Sequence, residues 1–150
     1  MKKQILNYVA AISFLLVLSA VSAFAQSPTF KANIPFDFQV NGKTMTAGEY
    51  VITEPISPRG TITIRGGQKV SAAAAIFQNV EARKPAAATQ LVFRRYGNEY
   101  FLAQMQVNRQ TAAMELPTTK AERDLIKELR GRHLANNKVQ PEIVTVALAQ

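Results

Sequence analysis

The sequence predicts a mainly β protein: a single antiparallel β-sandwich or small β-barrel, with one short α-helix in its C-terminal half and a helical signal segment in front. Three observations carry this reading. Apolar and polar residues alternate with period two at Phe36–Val40 and Thr61–Arg65 and in the strands around residue 97, as half-buried strands require. Asn41-Gly42 and Gly97-Asn98 are turn pairs set between such runs. Only one stretch of the later chain, from Thr119 to Gly131, combines helical spacing with helix-ending residues.

Residues 1–25 have the layout of a secretory signal peptide. Lys2 and Lys3 precede an apolar run from Ile5 to Phe24, and Ala23-Phe24-Ala25 fits the small-x-small rule for cleavage before Gln26. An uncleaved membrane anchor is the alternative, because the run approaches the roughly 20 residues that span a bilayer. Cleavage predicts a periplasmic or extracellular protein with no later transmembrane span, and residues 26–150 then form one β domain. No cysteine occurs, so packing alone must hold the fold.

Phe30 to Val40 reads as a strand with Phe36, Phe38 and Val40 on one side and Asp37 and Gln39 on the other. Pro35 sits near its start, where a strand or sheet edge tolerates it. Asn41-Gly42 turns the chain into a short extended piece, Lys43–Thr46. Ala47-Gly48-Glu49 turns it again into a strand at Tyr50–Thr53, which Pro55, Pro58 and Gly60 end. Thr61–Arg65 is a strand rich in β-branched residues, followed by a turn at Gly66-Gly67. Val70–Val80 is balanced between a helix, for its alanines, and a strand, for Val70, Ile76, Phe77 and Val80. The spacing of neighbouring strands favours a strand with small residues where something packs close. Residues 81–88 read as a solvated loop.

Leu91 to Val107 is the strongest signal, a hairpin turning at Gly97-Asn98. A two-residue turn sets Phe93 opposite Leu102 and Val92 opposite Ala103, with both faces partly apolar. A three-residue loop sets Phe93 opposite Phe101 and gives a cleaner one-sided pattern. The sequence leaves both open. Ala112–Leu116 is a short strand ended by Pro117. Thr119-Lys120-Ala121-Glu122 fits a capping box, with Ala121, Leu125, Ile126 and Leu129 on one helix face and Gly131 as the left-handed terminator. Arg132–Gln140 is irregular, and Ile143–Leu148, apolar on both faces, is a late strand.

The residue inventory excludes several chemistries. Without cysteine there is no thiol nucleophile, and with His133 as the only histidine no His/Cys zinc site forms. A Ser-His-Asp triad would depend on His133, just past a helix end, and no nucleophile elbow is present. No Gly-rich phosphate loop occurs, and no feature pairs two carboxylates. No cofactor or metal is implied.

Beyond the signal segment, 16 basic residues face 10 acidic ones. That balance favours an anionic envelope component or another envelope protein as partner, and export argues against nucleic acid. It also serves solubility alone. The candidate anion- or ligand-contact residues are Arg94, Arg95, Tyr96 and Tyr100 around the hairpin tip, since arginine beside aromatic rings grips anions and stacks on flat ligands. The competing reading is a cross-strand pair of Arg95 with Glu99 or Tyr100.

Ile34-Pro35-Phe36-Asp37-Phe38, Ala47-Gly48-Glu49-Tyr50, Leu91-Val92-Phe93-Arg94-Arg95-Tyr96-Gly97, Tyr100-Phe101-Leu102, Glu115-Leu116-Pro117 and Ala121-Glu122-Arg123 form an ordered set. It resembles an uncharacterised family of small exported proteins of soil-type Gram-negative bacteria. The resemblance spans Phe30 to Arg123 and implies no activity, cofactor or catalytic residue. Its members end soon after the helix, and the tail from Arg132 departs from that. Ala47–Tyr50 also looks like turns of transthyretin-like β-sandwiches, an analogy of fold alone.

The reading is therefore an exported, non-catalytic binding or envelope-associated β protein. The alternatives are a structural or accessory subunit acting through protein–protein contact and, third, a carboxylate-based hydrolase.

Overall fold

A computed structural model describes residues 29–53, 60–66, 72–82, 85–132 and 139–149. Residues 1–25, Pro55, Pro58, Gly67, Val70, Arg83, Lys84 and His133 lie outside the described residues. Eleven strands and one helix follow in order: β1 (Thr29–Ile34), β2 (Phe38–Val40), β3 (Lys43–Met45), β4 (Gly48–Thr53), β5 (Thr61–Gly66), β6 (Ala72–Ile76), β7 (Gln78–Glu81), β8 (Gln90–Tyr96), β9 (Glu99–Gln106), β10 (Ala112–Glu115), α1 (Lys120–Arg132) and β11 (Glu142–Ala147).

The strands make two sheets. One runs β1-β4-β5-β6. The other runs β11-β8-β9-β10-β7, with β2 beside β9 and β3 on β2. Pairing is antiparallel except where β2 meets β9 through Gln39 and Phe101, and at an isolated bridge from Ala86 to Asn108. The sheets face each other as a sandwich and do not close into a barrel. Phe30, Ile34, Ile52, Ile62 and Ile64 from one sheet and Phe38, Leu91, Phe93, Leu102 and Met105 from the other fill one apolar core. Each such side chain, once buried, contributes about 1.5–3 kcal/mol.

The alternation at residues 30–40 builds two strands rather than one. Pro35 cannot donate to a ladder, so β1 stops there and the chain crosses to the other sheet as β2. Asp37 Oδ1 accepts the Ala47 N–H at 2.7 Å and fastens the crossing. Asn41 and Gly42 both take positive φ, 50° and 78°, which is the two-residue turn that joins strands with native twist. The 72–80 stretch is strand, as its spacing predicts, but it too switches sheets. Phe77 is buried at the switch, β6 pairs with β5, and β7 pairs with β10. Alanine's helix propensity yields to this pairing, and the small side chains suit the edge that the β2–β3 turn approaches. Asn41 Nδ2 and Lys43 Nζ donate there to the Ala74 and Ala72 carbonyls at 3.3 and 2.8 Å.

The central hairpin takes the two-residue turn: Tyr96 pairs with Glu99, and Phe93 with Leu102. Gly97 alone takes positive φ, 62°, so the turn demands glycine first and not asparagine second. A bulge follows. Val92 pairs with Gln104 rather than with Ala103. The extra residue, Ala103 on β9, returns Met105 to the core face that Leu91, Phe93 and Leu102 occupy. The opposite face keeps Val92, Tyr96, Phe101 and Ala103, which are also buried.

Thr119 caps α1, its Oγ1 accepting the Glu122 N–H at 3.2 Å. Two helix expectations need correction. Gly131 lies within the helix and does not take positive φ. Ala121 is exposed, and Glu122 is the buried residue of the first turn. Leu125, Ile126 and Leu129 are half-buried. The late strand is β11, on the outer side of β8. Val144, Val146 and Leu148 turn toward the core, and Ile143, Thr145 and Ala147 are exposed, so its two faces are unequal. Among the described residues no helix is long and apolar enough to cross a membrane.

Candidate functional site

Successive strand residues point to opposite faces. The four residues read at the hairpin tip therefore divide into two pairs, and the structure brings no single cluster together. Arg94 and Tyr96 lie on the face toward α1. Arg95 and Tyr100 lie on the inner face, at the end of the sandwich.

On the α1 side, Arg94 Nε donates to Glu122 Oε1 at 2.6 Å and its Nη2 to Oε2 at 3.1 Å. This is a two-pronged, charge-assisted contact. Tyr96 Oη donates to Glu122 Oε1 at 3.3 Å. Glu122 is 1% exposed, and no buried side-chain polar atom among the described residues lacks a partner. Burial holds the Tyr96 hydroxyl above the usual phenol pKa. The Glu122 charge adds to this, and the Arg94 charge partly opposes it. Both Glu122 oxygens are taken and the group is shut away, so it joins helix to sheet and offers no open face to a ligand.

On the inner side, Arg95 Nε donates to the Gly97 carbonyl at 2.7 Å, and its Nη1 meets Glu142 of β11 at 3.1 Å. Its guanidinium lies 5.3 Å from the Tyr100 ring centroid, across the strand pair. Tyr100 stacks on Phe36 at 3.9 Å, and Phe36 meets Phe93 edge-on at 5.2 Å. The cross-strand reading of Arg95 with Tyr100 thus describes what is seen.

Among the described residues, surface grooves lie elsewhere. A groove of about 130 Å³ runs between the β2–β3 turn, the end of β6 and the segment leading into α1. Ala75, Leu102 and Leu116 form its apolar base, with Asn41, Pro117 and Thr119 at its sides. Ile76 stands at its lip, 72% exposed. The groove continues into a shallower hollow of about 440 Å³ along Gly42, Thr118 and Lys120.

Sequence reasoning placed Glu122 in a capping box, whereas its carboxylate goes to Arg94 and Tyr96, and it missed Glu142 and the groove. A signal for Glu122 existed: 122, 125, 126 and 129 follow the i, i+3, i+4, i+7 spacing of one helix face, so the stripe starts at Glu122 and not at Ala121. Glu142 and the groove carry no local signal, because the pairing of β11 with β8 brings Glu142 to Arg95, and the crossings at Pro35 and Phe77 assemble the groove. Among the described residues no group of three or more His, Cys, Asp or Glu side chains converges to hold a metal ion.

No protein-family profile, no curated protein and no solved structure matches this chain.

Proposed function

We propose that this chain is an exported, non-catalytic binding protein that meets an anionic, partly apolar component of the cell envelope. The groove beside α1 carries this reading. It joins an apolar base and the exposed Ile76 to a rim of amide and hydroxyl groups, with Lys120 at one end. Pockets that combine apolar walls with a few polar groups are the usual form of a ligand site. The excess of basic residues would draw such a partner in. The resemblance to small exported proteins and the signal-like residues 1–25 support the location.

The test is binding of the purified chain to vesicles containing anionic phosphatidylglycerol, compared with neutral phosphatidylcholine. Preference for the anionic vesicles is expected, falling at least about tenfold in Ile76→Asp and in Lys120→Glu, a loss of about 1.4 kcal/mol. Equal binding to both vesicle types, or variants that bind like the wild type, would remove the reading.

A further inference from the structure

Buried residues alternate with open ones along β1, β4, β5 and β6, so their sheet has one dry face and one wet face. Every residue on the wet face is exposed or half-buried. The helix lies on the other sheet, held there by Glu122 and Arg94.

The pairing register sets this face out in rows. Lys31, Val51, Arg65 and Ala72 make one row across the four strands, and Thr29, Thr53, Thr63 and Ala74 make the next. The rows lie about 7 Å apart, two residues along each strand. Lys31 and Arg65 stand two strands apart, about 9–10 Å. Both are exposed, and neither makes an ion pair among the described residues. Lys43 Nζ donates to the Ala72 carbonyl at 2.8 Å, which puts a third cation at the end of the same row, with two N–H groups to spare. Among the described residues the one acid of this face is Glu49. It sits opposite Asn33, one row further from the threonines.

We propose that this face binds an extended anionic polysaccharide, a polyuronate, lying across the strands along the row of cations. Lys31 and Arg65 are too far apart to share one carboxylate, so the row suits a ligand whose charges repeat. In an extended polyuronate the carboxylates on one side recur at every second sugar, a repeat of the same length as two strand spacings. Arg65 can take a carboxylate with two parallel hydrogen bonds, and Lys31 and Lys43 act as point charges. The threonine hydroxyls of the next row both donate and accept, as sugar hydroxyls do. Glu49 bounds the track on the other side by repulsion. The proposal does not rest on the groove, because none of these cations or threonines lines it.

The test uses the full chain, purified in the form that the cell accumulates, and fluorescently labelled polymannuronate read by anisotropy. Binding is expected, weakening with added salt, and neutral glucomannan should not bind. Lys31→Gln with Arg65→Gln should weaken binding at least about fivefold with an unchanged circular dichroism spectrum. Lys127→Gln with Arg130→Gln changes the net charge equally, on exposed positions of α1, and should leave binding near the wild-type value. Thr53→Val with Thr63→Val keeps the branched shape, removes the hydroxyls and should weaken binding about threefold. If the first pair disturbs the spectrum, Arg65→Gln alone carries the same expectation. A wild type that does not bind polymannuronate would overturn the proposal. So would equal losses in the sheet and helix pairs, or threonine variants that bind like the wild type. Equal losses of polymannuronate and of phosphatidylglycerol vesicles in Lys31→Gln with Arg65→Gln would also overturn it, since the face would then read charge and not a polymer.

Discussion

Arg94 and Arg95 are neighbours in the chain and do opposite kinds of work. Arg94 reaches a carboxylate that is 1% exposed and is itself 15% exposed at its side chain. Arg95 reaches Glu142 with both side chains open to water, at 35% and 65%. Strand geometry sends the two guanidinium groups to opposite faces, so a basic pair that looks like one patch in the sequence is split in the fold, Arg94 meeting Glu122 and, at 4.0 Å, Glu115, and Arg95 meeting Glu142. Adjacent charges on a strand are evidence for a shared site only after their faces are known.

The difference has a large expected consequence. Glu122→Ala takes the hydrogen-bond acceptor from Arg94 and the Tyr96 hydroxyl, leaving Arg94 only the longer contact to Glu115 at 4.0 Å, and should destabilise by roughly 3–5 kcal/mol in urea unfolding. Replacing both partners, Arg94→Met with Glu122→Leu, should recover most of that loss, because an apolar pair of similar volume needs no desolvated charge. A double variant as unstable as Glu122→Ala would mean that the charges do more than satisfy each other.

Gly97→Val comes next. An added Cβ at Gly97 meets nothing within 4 Å, so the whole penalty is the positive φ, about 1–3 kcal/mol. A melting temperature equal to that of the wild type would discard the turn assignment.

Tyr96→Phe deletes one hydrogen bond to Glu122 and should cost about 1 kcal/mol. It also tests a pH effect. The folded-state pKa of Tyr96 lies above the unfolded value, so its contribution is fully present below about pH 10 and is lost as pH rises through the folded-state value. Alkaline titration of stability should therefore fall less steeply above pH 10 in Tyr96→Phe. An identical profile would place the tyrosine outside the buried group.

Arg95→Ala should have the smallest effect, about 0–1 kcal/mol, since exposed ion pairs are screened and their side chains lose entropy.

The strands were legible where one face is wet and the other buried, as at Thr61–Arg65, and where turn chemistry is strict, as at Asn41-Gly42. The sheet changes were not. Pro35 marks the first as a break but does not say which sheet β2 joins, and nothing local separates Ile76 from Gln78 until β6 and β7 find different partners. The bulge opposite Val92 was hidden for a related reason. Either simple register leaves apolar residues on both sides, and only packing of one face on the core and burial of the other select the irregular one. At the candidate site, residue types alone drew attention to Arg94 and Arg95. The groove is made by Asn41, Ile76, Leu116 and Lys120, which are far apart in sequence and unremarkable there.

The account turns on Arg94 holding the fold together and not waiting for an anion. A double-mutant cycle on Arg94 and Glu122, read by urea unfolding, measures this directly. A coupling of about 2 kcal/mol or more is predicted, against less than about 1 kcal/mol for the matching cycle on Arg95 and Glu142. Equal, small couplings in the two cycles would contradict it and would return Arg94 to the candidates for ligand contact.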